Sequence, residues 1–267
     1  NQDYKNLSAA QFKGLRQGGA EFVLAQDGKD LLVGEVVAVQ DIDSYSKRDC
    51  EKPYRSMMVG MLPPKLAQIL VNLTGVRRGA PGGGSVWDPF CGGGVLVMEG
   101  LLLGHDMAGS DIDQKTLEGA RKNVEWLQRE FQVHQKADLF VHDAKTPLKG
   151  KSFDAIACEG YLGPPQERKL RVDPLAPLVS ELEALYIRFF EALRDMKFRG
   201  PIVIAMPFFR AHEAKEVFLD RVPKKVASFG FRLSPLLPKE LLGREVLVLK
   251  YARPDQIVGR AICRFSA

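Results

Sequence analysis

The chain has 267 residues, 45% of them hydrophobic and 27% charged, with a formal net charge of +5. That length suits one large domain, or one domain with a small appendage, and ordinary charge and apolar content exclude a disordered, collagenous or coiled-coil protein. No apolar run approaches the roughly 20 residues of a membrane span; the longest, at 94–104, is interrupted by Glu99.

Short apolar runs around Asp27-Gly28 at residues 20–40 predict a β-hairpin or meander. Residues 41–60 are polar and read as irregular. Pro63-Pro64 opens a helix through Lys65–Asn72, with Leu66, Ile69, Leu70 and Leu73 on one face and Gly75 as its stop. A Gly- and Pro-rich loop over Arg77–Ser85 follows. From Val86 the pattern changes to alternating strand and helix: strand Ser85–Asp88, helix Val95–Leu103, strand Met107–Asp111, then a helix capped by Asp113. Strands are predicted at Leu139–Asp143, Phe153–Glu159 and Ile202–Met206, with the longest helix at Leu175–Met196. The chain closes with a helix over Ala211–Arg221 and strands at Phe229–Leu237 and Glu245–Ala252. Those last two are expected to pair antiparallel at a sheet edge through a short loop at Pro238–Arg244. Strand–helix alternation at this spacing predicts a parallel sheet covered on both faces.

The segment Val86-Trp87-Asp88-Pro89-Phe90-Cys91-Gly92-Gly93-Gly94 carries the most chemistry. A strand ending in an acid, followed by glycines opening a helix, sets backbone N–H groups beside a ligand with no Cβ in the way. The pattern is not GxGxxG, and Asp88 would repel a pyrophosphate; it suits a cationic or neutral ligand such as the amino group of a methionine moiety. Asp111, in Gly109-Ser110-Asp111-Ile112-Asp113, ends the next strand about twenty residues on, the spacing of a carboxylate that accepts ribose hydroxyls. Asp143, in His142-Asp143-Ala144, ends the third strand, where it can accept from an adenine amine. Three acids at three successive strand ends point to one ligand.

Asp88–Gly94 with Gly109–Asp113 resembles motif I and the following acidic motif of class I S-adenosylmethionine-dependent methyltransferases. More narrowly, Asp88-Pro89-Phe90-Cys91-Gly92-Gly93-Gly94 resembles the DPFCGSG run of the tRNA guanosine N2-methyltransferases of the guanosine-10 type. Met61-Leu62-Pro63-Pro64-Lys65-Leu66-Ala67, ahead of Val71-Asn72-Leu73-Thr74-Gly75, is similar to the helix before that motif. The resemblance covers about residues 55–255. It implies a Rossmann-like α/β fold with a mostly parallel seven-stranded sheet and an antiparallel edge strand. It divides the chain into a small β-rich element or linker over 1–55 and a catalytic domain over 56–267. It implies S-adenosyl-L-methionine as cofactor, held by Asp88, Pro89, Phe90, Cys91, Gly92, Gly94, Asp111, Ile112, Asp143 and Ala144, and no metal. In such enzymes the fourth strand ends in Asp/Asn-Pro-Pro-Tyr, whose side-chain oxygen and a backbone carbonyl accept an exocyclic amine while the ring stacks on the base. This chain has Cys158-Glu159-Gly160-Tyr161-Leu162-Gly163-Pro164-Pro165 there. Glu replaces Asp, Gly replaces Pro, and the Tyr sits one position early. Glu159, Gly160 and Tyr161 are the catalytic candidates.

The expected activity is methyl transfer to nucleic acid, with a guanine amine of tRNA as acceptor. A DNA amino-methyltransferase, a small-molecule methyltransferase and a catalytically silent binding subunit remain the alternatives. Basic groups exceed acidic ones by six over residues 200–267, which permits a polyanion near the C-terminal third. Arg168-Lys169-Leu170-Arg171 are further phosphate candidates; Lys224-Lys225 and Arg77-Arg78 are ordinary surface pairs unless one face gathers them. Phe208-Phe209 are expected in the core, and the four histidines have no partner at metal or triad spacing. Relatives of the tRNA-modifying type carry a separate RNA-binding domain, for which these residues have no room, so a further domain or a partner subunit is expected. The chain opens on Asn1 without a start Met or signal-peptide apolar region, which leaves space for a preceding domain. Four scattered cysteines predict a reduced, cytoplasmic protein without a disulfide framework.

Overall fold

A computed structural model describes residues 21–55, 62–77, 84–166, 168–169 and 171–267. The expectations placed on residues 1–20, Met61, the loop at 78–83 and Leu170 lie outside this set. The chain divides into two compact units, residues 1–46 and 47–267.

In the first unit, β1 (Phe22–Asp27) and β2 (Asp30–Glu35) form the expected hairpin, antiparallel from Phe22 opposite Glu35 to Asp27 opposite Asp30. Helix α1 (Ile42–Cys50), whose residues from Lys47 on belong to the second unit, occupies part of the stretch read as irregular. Its local signals are polar rather than periodic. The Asp41 carboxylate accepts from the Ser44 N–H at 3.0 Å, and Asp43 and Lys47-Arg48 lie at the ends favoured by the helix dipole.

The second unit is built on one sheet. Helix α2 (Pro64–Leu73) starts on its proline and buries Leu66, Ala67, Leu70 and Val71. The alternation that follows is β3 (Ser85–Asp88), α3 (Val95–Leu102), β4 (Asp106–Asp111), α4 (Gln114–Phe131), β5 (Ala137–Val141), β6 (Ala155–Glu159), α5 (Val172–Asp195) and β7 (Ile202–Arg210). After it come β8 (Glu216–Val217), α6 (Arg221–Ala227), β9 (Arg232–Ser234), α7 (Lys239–Leu242), β10 (Val248–Tyr251) and β11 (Val258–Ser266). The sheet order is β10-β11-β7-β6-β3-β4-β5, with β5, β4, β3, β6 and β7 mutually parallel and β11 antiparallel to β7. The mostly parallel Rossmann-like sheet with an antiparallel strand towards one edge is therefore as expected.

Two apolar layers sandwich it. Leu66, Leu70, Leu96, Leu117 and Leu127 from α2, α3 and α4 pack on one face; Tyr186, Phe189, Phe190 and Val226 from α5 and α6 pack on the other. A buried ion pair within this unit ties the last turn of α1 to α3: Arg48 Nε donates to Glu99 Oε1 at 2.7 Å, and Gln68 Nε2 to Glu99 Oε2 at 2.6 Å.

The C-terminal third departs from the sequence expectation. No helix covers Ala211–Arg221. A 3-10 turn at His212–Ala214 leads into β8, which folds back on β7 with Val217 opposite Phe209, and Phe218 stacks on Phe208 at 5.2 Å. The helix begins only at Arg221. The predicted strands at Phe229–Leu237 and Glu245–Ala252 shrink to β9 and β10, and they do not pair with each other. Both lie along the free side of β11: β9 opposite residues 264–266 and β10 opposite residues 260–263. They are two halves of one edge, split by an excursion that the Leu236 N–H closes onto the Val246 carbonyl at 2.9 Å. The strand both need as a partner, β11, is absent from the sequence expectation. Phe208 and Phe209 lie buried within β7.

Candidate functional site at the strand ends

Side chains alternate across a sheet. On the face that carries Val86, Met107, Ala157, Ala205 and Ile262, the same period brings Asp88, Asp111, Glu159 and Arg260. Three of these are the last residues of neighbouring parallel strands β3, β4 and β6. Asp143 follows the end of the next strand, β5, by two residues. Chain connections run outward in opposite directions from β3 and β6, so the acids straddle the topological switch point where open α/β sheets bind ligands.

Asp88 is 2% exposed, and its Oδ1 accepts only the Phe90 N–H, at 3.1 Å. No cation among the described residues pairs with it. Burial pushes its carboxyl well above the usual range, and the charges of Asp111 and Glu159 push the same way. Asp111 is braced instead: Oδ2 accepts the Gly92 N–H at 3.0 Å and Oδ1 the Asp113 N–H at 2.9 Å. It therefore shapes the glycine turn while retaining lone pairs for a hydroxyl. Asp113 caps α4, accepting from the Lys115 and Thr116 N–H groups at 2.8 and 3.2 Å, as expected.

The glycine turn needs its residue type. Gly92 and Gly94 have φ of +50° and +80°, and a Cβ on Gly94 would press on Ala120 at 3.1 Å. Gly94 opens α3 without a side chain to cap it, and space beside Gly92 is open. Asn123 holds the turn from behind, donating to the Gly93 carbonyl at 2.8 Å while bridging to the backbone of Tyr54. Pro89, Cys91 and Ala144 are buried; Phe90 packs edge-on against Phe189 at 5.3 Å. Ile112, 65% exposed, presents an apolar side chain beyond β4. Asp143 accepts the Lys145 N–H at 3.0 Å and lies 3.5 Å from its ammonium.

At the end of β6, Glu159 is nearly buried and receives a hydrogen bond from Arg260 Nε. Burial raises its carboxyl pKa, and Arg260 opposes that rise. Gly160 donates to the Ala205 carbonyl at 3.0 Å, and a Cβ there would overlap the Tyr186 hydroxyl. That hydroxyl donates to the Tyr161 carbonyl at 2.8 Å, while the Tyr161 ring is 48% exposed. Sequence reasoning missed Arg260 and Tyr186. Arg260 had a signal, since with Arg264 it is one of two charges in the apolar run Val258–Phe265.

A separate open groove of about 710 Å³ lies between α5 and α6, away from the strand ends, and gathers Arg188, Arg221, Lys224 and Lys225. Arg188 and Arg221 there lie 3.4 and 3.5 Å from Glu191 and Glu183. The pair at Lys224-Lys225 thus belongs to a basic face.

The central sheet, its helical layers and the acid-rimmed glycine turn define a class I methyltransferase fold, the fold built around S-adenosylmethionine. Residues 52–207, over half of the chain, match the family described as UPF0020: RMKL-like, methyltransferase domain, and the chain belongs to that family. Among its relatives, the tRNA (guanine(10)-N2)-dimethyltransferase of Pyrococcus abyssi is 31% identical over 146 residues, 55% of this chain and 39% of that protein. The protein of the same name from Methanocaldococcus jannaschii is 29% identical over 155 residues, 56% of this chain and 42% of that one. The chain therefore spans well under two thirds of these relatives' length. Among solved structures, TrmN from Thermus thermophilus superposes with a TM-score of 0.54 at 16% identity, covering 92% of this chain and 59% of TrmN. Magnesium protoporphyrin IX methyltransferase from Synechocystis, solved with bound SAM, gives 0.50 at 14% identity, covering 86% of this chain and 99% of that one. These two likenesses are of fold.

Proposed function

We propose that this domain transfers the methyl of S-adenosylmethionine to the exocyclic N2 amine of a guanosine in tRNA. The observation that carries the proposal is the row of acids along four adjacent parallel strand ends, with the side-chain-free glycine turn among them. The names of the related tRNA enzymes support the choice of acceptor. A tRNA substrate also implies a cytoplasmic setting and a further RNA-binding domain or partner.

The residues present fit the cofactor. Asp88 is a buried carboxylate with no cation of its own among the described residues, which an ammonium group would neutralise. The turn at Gly92–Gly94 leaves room where side chains would block a ligand. In this reading Asp111 accepts ribose hydroxyls, Ile112 and Ala144 pack on the adenine faces, and Asp143 accepts its amine; Pro89, Phe90 and Cys91 set the path of the turn. When bound, the cofactor supplies an electrophilic sulfonium methyl. The protein's own task is alignment, worth several kcal/mol when reacting atoms are held in line, and no strong base is needed. Glu159 accepts an N–H of the acceptor amine, the backbone at Gly160 brings a carbonyl alongside, and the exposed Tyr161 ring offers a stacking surface.

A second reading has one observation in its favour: Arg260 already engages Glu159, as it would in a silent subunit that binds cofactor or RNA without turnover. Labelled methyl transfer onto tRNA, duplex DNA and a metabolite pool separates the readings, with nucleoside mass spectrometry of the treated tRNA. Appearance of N2-methylguanosine supports the proposal; transfer to DNA or metabolites alone, or to nothing, rejects it.

A further inference from the structure

Arg260 and Glu159 stand on strands that do not touch. Glu159 lies opposite Ala205 on β7, and Arg260 lies opposite Pro207 on the other side of β7. Two inter-strand spacings, roughly 9–10 Å, and a two-residue offset along β7 separate their backbones. The two side chains close that gap between them, and a guanidinium arrives with a directed N–H. Arg260 is 4% exposed, so the last strand of the chain has paid the desolvation of a cation to bring it to this one carboxylate. Its Nε–H meets Oε1 of Glu159, and its terminal nitrogens have no other hydrogen-bond partner among the described residues.

Resting on the function proposed above, we infer that Arg260 is a positioning residue for methyl transfer: it fixes one oxygen of Glu159 so that the other is presented, ionised, to the acceptor amine. The Glu found here in place of the shorter acid of related motifs then has a physical reason. A longer side chain adds a rotatable bond, and the guanidinium removes that freedom. Pairing also opposes the burial that would otherwise protonate Glu159 and turn an acceptor into a donor. The remaining titratable neighbours are Asp88 from β3, the Cys158 thiol from β6 itself and the Tyr186 hydroxyl from α5, all of which burial holds towards their neutral forms. The β7 residue opposite Glu159, Ala205, adds none. Arg260 is thus the cation that sets the charge of Glu159.

The test compares wild type, Arg260→Met and Arg260→Lys in steady-state methyl transfer to tRNA across pH, with circular dichroism and S-adenosylhomocysteine binding to establish folding and an intact cofactor pocket. In Arg260→Met, kcat at neutral pH falls by about tenfold or more while KM for the cofactor holds. Its acid limb moves to higher pH, so that activity recovers as pH is raised; Arg260→Lys retains most of the activity. A purely structural arginine would lower folded protein without moving the pH limb. A folded Arg260→Met with the wild-type kcat and pH profile overturns the inference and leaves the function standing. If Arg260→Met fails to fold, the polar, uncharged Arg260→Gln decides: an acid limb displaced upward supports the inference, and an unmoved limb overturns it. Wild-type protein that methylates no RNA overturns the function and this role with it.

Discussion

Burial holds the Asp88 carboxyl well above the usual carboxylate range, against the single Phe90 N–H that favours its charge. The sign of its effect on stability follows. A carboxyl whose folded pKa exceeds its unfolded value, about 3.9, contributes stability below about pH 4, and that contribution is lost as pH rises through the folded value. Neutral Asp88→Asn keeps the acceptor for Phe90 and removes the charge. Its Tm is expected to exceed wild type at pH 7, by about 2–4 °C for each kcal/mol relieved, with the gain shrinking at pH 4. The same change is expected to weaken S-adenosylhomocysteine binding, because the ammonium loses its counter-charge. Equal melting temperatures at pH 7 would show that the apo protein carries no such cost. Asp88, Asp111 and Glu159 were legible as site candidates because each ends an apolar strand. The pairing of Arg260 with Glu159 was not, because the two lie 101 positions apart and only the sheet order brings them together.

The glycine at 160 belongs to the scale of elements, since it marks where β6, β7 and α5 meet. Its N–H continues the ladder to Ala205, and the Tyr186 hydroxyl occupies the volume a side chain would need. Restoring the proline of the related motif, Gly160→Pro, removes that donor and drives a ring into Tyr186. A loss of about 3 kcal/mol or more in urea unfolding is expected, with no gain in activity; unchanged stability would contradict this packing. The half of the sheet from β3 to α4 was readable from sequence because caps, glycines and hydrophobic period agree there. The C-terminal third was not. Ala211, Ala214, Val217 and Phe218 are spaced like one helix face, yet tertiary pairing with β7 and the Phe208 stack pull them into a turn and a strand. The split edge was hidden because β9 and β10 are short and share one partner, β11, whose own pattern is broken by Arg260 and Arg264. Helix α1 escaped notice because its stability comes from a cap and end charges rather than an apolar stripe.

For the molecule as a whole, charge is unevenly placed: the surplus of six basic groups over residues 200–267 coincides with part of the groove that Arg221, Lys224 and Lys225 line. If that face follows the phosphates of tRNA, affinity falls steeply with added salt. Lys224→Ala with Lys225→Ala should lower the slope of log affinity against log salt by about 0.7–0.9 for each phosphate no longer neutralised. A wild-type affinity indifferent to salt would instead favour a small substrate.

Whether the acid-rimmed glycine turn holds a sulfonium-bearing adenosine is decided by calorimetric titration with S-adenosylhomocysteine. A single site is expected on the wild-type chain, weakened by about tenfold or more in Asp111→Ala, which loses both the ribose acceptor and the brace on Gly92. Folded wild-type protein that gives no binding heat, or Asp111→Ala that binds as wild type does, would contradict it.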